Sequence, residues 1–235
     1  VTKTWYYFDP LVMVLSGIVP AIFAIIIGIP LLSRLRGDYF AFGTLAAAEV
    51  LRVLIFRGGD FTRGASGLRL PSASFVSMEP YYWTGFVLAI FATAAVYLIT
   101  KSRIGLALKA LSEDETSAAS HGIHILQYKV LAFAIGAFVI GTVGSLYAYY
   151  LFIINPTAVM NLNWLFLPIL ICILGGNGTI IGPIIGAFFV AALFSYADVY
   201  LVQTHPMLSG ILIILIMKFM PTGIMGLKER KWFRR

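Results

Sequence analysis

Ser102-Arg-Ile-Gly-Leu-Ala-Leu-Lys-Ala-Leu-Ser-Glu-Asp-Glu-Thr-Ser-Ala-Ala-Ser-His-Gly-Ile123 is a polar, charged, helix-forming island, about two helices long, set between apolar runs long enough to cross a bilayer. A chain that spends so many residues on a structured internal loop presents that loop to something. The reading of the whole sequence turns on it: an all-α, membrane-spanning helical bundle with a docking element for a soluble partner on one side.

Composition agrees. Of the 235 residues 60% are hydrophobic and only 11% charged, and mean hydropathy is +0.92. A soluble domain carries about 25% charged residues, so this chain cannot cover a water-facing surface. Net charge is +7. The basic residues flank apolar runs, which is the pattern of membrane orientation rather than of nucleic-acid binding, and no nucleic-acid partner is expected. The single cysteine, Cys172, lies inside an apolar run and reads as a small buried hydrophobe. No basic segment followed by a short apolar core opens the chain at Val1, so no signal peptide is expected.

Seven apolar segments follow one another, at 10–32, 39–57, 81–100, 128–151, 162–175, 180–200 and 206–222. About 20 apolar residues at 1.5 Å each span a bilayer core. The run at 162–175 is short, and Gly175-Gly-Asn-Gly178 follows it directly as a tight turn. It is expected to be tilted, broken or re-entrant. Six spans are the alternative to seven if 162–200 enters as one hairpin. Residues 1–235 are read as a single transmembrane domain.

Alternating the sides puts the loops at 33–38 and 101–129 and the tail from 218 together. That side then holds twelve of the seventeen Lys and Arg residues and is assigned to the cytoplasm. The Gly- and Ser-rich loop at 58–80 faces outward. Trp5, Tyr81 to Trp83 and Trp164 fall at outer edges, and Trp232 at the inner one, where amphipathic rings settle.

Within the island, Arg103–Leu111 reads as an amphipathic helix with Ile104, Leu106, Leu108 and Leu111 between Arg103 and Lys109. Ser112-Glu-Asp-Glu115 fits a capping box, in which the Ser112 hydroxyl meets the third amide and Glu115 reaches back. Three acids in the first turn would suit the helix dipole. Gly122 stands where a left-handed residue ends that second helix. Arg103, Leu108, Leu111, Ser112, Glu113, Asp114 and Glu115 are the candidate docking residues.

Elsewhere, Glu49 and Arg52 lie inside an apolar segment, three residues apart. Ionisable groups in a span are costly and face the bundle interior. The pair either lines a path or locks two helices together. Asp38 reads as a helix cap. His121 and His124 lack companion ligands at metal spacing, so no metal site is expected. Gly178, Gly182 and Gly186, every fourth residue, allow close helix approach, with Gly175 and Gly176 at the turn. That packing is expected within the chain, with a second subunit as the alternative. No clustered acid, base and nucleophile appears, so an enzyme is not expected. The phosphate-binding pattern G-x-x-x-x-G-K-[ST] is absent too, so any ATP chemistry must come from a partner.

Four stretches, in order, carry a resemblance. They are Leu35-Arg-Gly-Asp-Tyr-Phe40 through Glu49-Val-Leu-Arg52, the island itself, Tyr128-Lys-Val-Leu-Ala-Phe133 through Gly144-Ser-Leu-Tyr-Ala148 and Asn155-Pro156, and Leu174-Gly-Gly-Asn-Gly-Thr-Ile-Ile-Gly-Pro-Ile-Ile-Gly-Ala187. Together they resemble the ABC-importer permeases for branched-chain amino acids of the LivM type, over about residues 10–227. Thr62-Arg-Gly-Ala-Ser-Gly-Leu68 and Met220-Pro-Thr-Gly-Ile224 depart from the family's pattern. A glycine-rich segment that the family carries ahead of these stretches has no counterpart here.

The resemblance implies a multi-pass permease in the plasma (inner) membrane of a bacterium or archaeon, importing branched-chain or other hydrophobic amino acids. It implies a second homologous permease, two cytoplasmic ATPases that hold ATP and Mg, and an extracytoplasmic substrate-binding protein. No cofactor is expected on this chain. The island would be the coupling element seated on an ATPase. Urea or short amides are the alternative cargo. A secondary carrier or channel without an ATPase is the alternative class, and it would need ion-coupling carboxylates, of which only Glu49 lies deep in a span.

Overall fold

The computed structural model describes residues 10–35, 37–69, 78–151, 153–161, 163–176, 178–200, 211, 214–215, 218 and 223–225. Helices dominate, and they divide into two compact units, residues 1–156 and 157–235.

The first unit is built on two long helices, α1 (Pro10–Arg34) and α7 (Ile125–Leu151), which pack along each other. Small residues let their backbones meet. A Cβ on Gly17 would lie 2.7 Å from Thr142 Cγ2 and 2.8 Å from the Phe138 carbonyl oxygen. One on Gly141 would lie 2.8 Å from the Ser16 carbonyl oxygen. Pro20 explains why that carbonyl is there: it has no N–H to give Ser16 inside α1. The Ser16 hydroxyl donates to the Met13 carbonyl at 2.6 Å and lies 3.3 Å from the Gly141 carbonyl oxygen. Three turns further along α1, nearer the island, Gly28 takes the ring of Phe133.

Helix α2 (Asp38–Arg57) follows α1 after a turn at Gly37, whose φ is +55°. Gly37 itself is the N-cap and makes no side-chain cap bond. Asp38 is therefore not the cap but the first helical residue, where its charge meets the positive end of the dipole. No residue of α2 is buried within the unit. Beyond α2, a short helix α3 (Gly59–Thr62) and a 3-10 turn (Gly64–Ser66) lead to β1 (Leu68–Arg69). The Thr62 hydroxyl ties this turn back, donating to the Ile55 carbonyl at 2.6 Å and accepting from the Gly64 amide.

Helix α4 (Glu79–Lys101) packs on α7, with Tyr81 buried edge-on against Tyr150. The two helices of the island are α5 (Arg103–Glu113) and α6 (Glu115–Ser120). After α7, β2 (Ile153–Ile154) pairs antiparallel with β1, Leu68 opposite Ile154 and Arg69 opposite Ile153. This pairing closes the end of the unit opposite the island. A four-residue helix, α8 (Pro156–Val159), stands where the units meet in sequence.

The second unit is a helical hairpin of α9 (Asn163–Gly175) and α10 (Ile181–Tyr200). Leu170 is fully buried at its centre with Val190 and Phe194. Among the described residues α1, α2, α4 and α7 are long and apolar enough to cross a membrane, the stretch 156–175 that holds α8 and α9 is a fifth candidate, and Ile181–Tyr196 is a shorter apolar helix. The expected spans at 10–32, 39–57, 81–100 and 128–151 correspond to α1, α2, α4 and α7. The run at 162–175 is short as expected, 13 residues in α9. The expected span at 206–222 lies outside the described residues, apart from 211, 214–215 and 218.

Candidate functional site

The island is built by caps. Ser102 is the N-cap of α5, and its hydroxyl accepts from the Gly105 amide at 3.4 Å and donates to the Ile99 carbonyl at 2.7 Å. Gly105 is needed there, because a Cβ would sit 2.6 Å from Thr100 Cα. Chain direction thus changes between α4 and α5 with little slack.

The second cap is not the expected one. Ser112 lies in the last turn of α5, and its hydroxyl donates back to the Lys109 carbonyl at 2.7 Å. Asp114 is the N-cap of α6, with φ −154° and ψ 116°. Its carboxylate accepts from the Thr116 hydroxyl at 2.6 Å, the Thr116 amide at 2.7 Å and the Ser117 amide at 3.3 Å. A cap needs an extended backbone, and Ser112 is helical, so the role passes two residues on. Those bonds, the Thr116 hydroxyl first, hold the Asp114 carboxyl below the ordinary aspartate range.

The expectation of three acids in one first turn is corrected with it. Glu113 ends α5, Asp114 caps, and only Glu115 is in the first turn of α6. Glu115 does not reach back to Ser112 either: it pairs with Lys129 of α7. Helix α6 ends as expected at Gly122, φ +82°. The Gly122 amide donates to the Ala119 carbonyl and the Ile123 amide to the Ala118 carbonyl, both orphan groups satisfied. The His121 ring lies 2.8 Å from the Ser117 carbonyl.

The face of α5 is also corrected. Leu111 is buried and Leu108 half-buried, together with buried Ala107, so these side chains hold the island to its own protein. Leu106 is the exposed leucine, at 66%. At 100° per residue it shares a ridge with Arg103, Lys109 and Glu113, all exposed. Amphipathic spacing made all the leucines candidates, and only packing against α4 and α7 separates them.

Helix α2 carries the other candidate. Arg52 Nη1 lies 3.2 Å from Glu49 Oε1, so the i, i+3 pair forms. The side chains of Arg52 and Glu49 are 41% and 58% exposed, and among the described residues the pair bridges no second helix. The reason is helical phase. Thr44, Ala47, Ala48 and Leu51 turn towards α1 and α7, which carries Glu49 away and leaves Arg52 at the edge of that face.

Between α1, α2 and α7 lies an apolar cavity of about 450 Å³. Ala24, Thr44, Ala48, Phe133 and Gly136 are among its walls. The Thr44 hydroxyl is spent on the Ala41 carbonyl of its own helix, so the wall offers little polarity.

In the second unit the glycines pack the hairpin on itself. Positions for a Cβ on Gly175 and Gly182 fall on each other's backbone, and one on Gly186 on the Ile171 carbonyl. Gly176 and Gly178 have φ of +110° and +85° and make the turn. Gly178 meets nothing within 4 Å, so it belongs to the turn and not to the packed stripe. Gly223 closes against Gly176.

Comparisons with known proteins agree in kind. Residues 4–217 match the family model for the branched-chain amino acid transport system permease component. The chain is 25% identical over 234 residues to the probable branched-chain amino acid transport permease protein LivM of Methanocaldococcus jannaschii, covering 91% of this chain and 68% of that protein. It is 26% identical over 240 residues to the high-affinity branched-chain amino acid transport system permease protein LivM of Salmonella typhimurium, covering 90% and 56%. It is 31% identical over 159 residues to the corresponding protein LivH of Escherichia coli, covering 67% and 50%. The chain therefore spans between half and about two thirds of the length of these relatives. No solved structure matches it.

Proposed function

The chain belongs to the branched-chain amino-acid transport permease family, and from that premise we propose that it is the transmembrane permease subunit of an ATP-binding-cassette importer. The cargo is branched-chain or other hydrophobic amino acids. A second, homologous permease completes the pathway, which is the arrangement suggested by similarity to both LivM and LivH proteins. A binding protein outside the membrane delivers the cargo, and two cytoplasmic ATPases bind ATP and Mg. The membrane is the plasma membrane of a prokaryote, with the island and the basic tail on the cytoplasmic side.

The single observation that carries the coupling role is the island. It is a capped, internally anchored pair of helices that turns Arg103, Leu106, Lys109 and Glu113 outward. A mere connector needs no such rigidity. An exposed leucine between charges offers a partner one apolar anchor and a charged rim. The apolar cavity supports the cargo class: a leucine-like side chain asks for aliphatic walls, while a sugar asks for many side-chain hydrogen bonds.

The test is reconstitution of the full complex in proteoliposomes, with radiolabelled leucine, isoleucine, valine, urea and ribose offered outside. ATP-dependent uptake of the three amino acids is expected. Uptake of urea or ribose alone would overturn the cargo. Uptake that ignores ATP would overturn the importer class.

A further inference from the structure

We propose that the Glu115–Lys129 pair is the strut that passes motion from the docked island to the wall of the apolar cavity. Glu115 and Lys129 are thus positioning residues for transport; the inference rests on the island being the ATPase dock.

The pair joins α6 to α7, whereas Glu49–Arg52 stays inside one helix. It is partly sheltered, with Lys129 26% and Glu115 36% exposed, so solvent screens it less than it would a pair on an open surface. The partners are fixed at both ends. Glu115 is held by the Asp114 cap on one side and by buried Ala118, with the turn at Gly122, on the other. Lys129 sits in the second turn of α7, a helix pinned to α1 where Gly17 meets Gly141.

Helical phase then gives the pair its reach. Phe133, Gly136 and Ile140 follow Lys129 by 4, 7 and 11 residues, so they continue one stripe of α7. That same stripe is the α7 wall of the cavity. A push on α6 therefore arrives, through Lys129, one turn below Phe133. The ring of Phe133 also rests on Gly28 of α1 and edge-on to Phe40 of α2, at 6.1 Å between centroids. All three walls of the cavity feel a displacement that starts at the island.

The experiment uses the complete, reconstituted complex and four variants: Glu115→Gln, Lys129→Gln, both together, and Lys129→Arg. Three quantities are read: ATPase retained on purification, ATP hydrolysed, and leucine taken up. Each single Gln variant is expected to keep its ATPase and to lose at least about fivefold in uptake per ATP, the low end for coupling between sites. The double variant is expected to be no worse than either single, and Lys129→Arg to match wild type. A wild-type ratio in all four variants overturns the strut and leaves the docking reading intact. Loss of ATPase in step with loss of uptake also overturns it, because the pair would then only hold the dock in shape. A wild-type complex that carries no ATPase ends the docking reading and the strut with it.

Discussion

The island and helix α2 are close in length and opposite in economy. The island settles its own polar groups: Ser102 and Asp114 cap, Gly122 closes, Glu115 finds Lys129, and Ala107, Leu111 and Ala118 go inside. Helix α2 settles almost nothing. It buries no residue, and its one ion pair looks outward from the middle of a span. A hydrocarbon environment makes such a pair costly. The contrast separates two kinds of incompleteness: the island is finished as a shape and waits for a partner's surface, whereas α2 needs its surroundings to be tolerable at all.

The largest effect is expected inside the island. Leu111→Ala removes a buried side chain and should cost about 2–4 kcal/mol, read as a lower melting point of the purified chain. Leu106→Ala, on the exposed ridge, should leave melting unchanged and release the ATPase on purification. Equal melting of the two variants would mean that the island is not anchored by its inner face.

Next comes α2. In the isolated chain, held in a bilayer, Glu49→Gln leaves Arg52 without its partner inside a span and should cost about 2–3 kcal/mol. In the assembled complex the same change should lower assembly or uptake more, and Glu49→Gln with Arg52→Gln should be milder than the single. Identical effects in chain and complex would show that no protein covers this face.

The pH response of α6 is smaller. The Asp114 pKa is lower in the fold than in the unfolded chain, so its contribution is complete above the ordinary aspartate value. It disappears as pH falls through the depressed value. Protection of the Thr116 and Ser117 amides from hydrogen exchange should start to fall once pH drops below the ordinary aspartate value and be lost below the depressed one. Asp114→Asn keeps a good cap and should remove the pH dependence. Ser112→Ala, the smallest effect, should leave exchange in α6 unchanged, since that hydroxyl serves α5.

The long helices were legible because length and hydropathy are local quantities. So were the ends of the island, where Gly122 behaves as its position implies. What was not legible depended on packing or on one residue of register. Ser112 and Asp114 both satisfy a capping pattern, and only the point where α5 stops chooses between them. Leu106, Leu108 and Leu111 look alike until α4 and α7 cover two of them. Glu49 and Arg52 share a face in any helix, but which face α1 and α7 take cannot be found inside α2. The β1–β2 pairing joins Leu68 and Ile154, which are far apart in sequence, and two-residue strands carry no periodic signal.

The meeting of Gly17 with Gly141 has a consequence for genetics. Most steric clashes can be relieved by a second mutation that trims the opposing side chain. Gly28→Ala is of that sort, because what it meets is the ring of Phe133. Gly17→Ala and Gly141→Ala instead meet the carbonyl oxygens of Phe138 and Ser16. Every amino acid supplies that same oxygen, so no codon change opposite can make room. A selection for restored growth should return suppressors of Gly28→Ala at position 133, and for Gly17→Ala and Gly141→Ala only reversion to glycine.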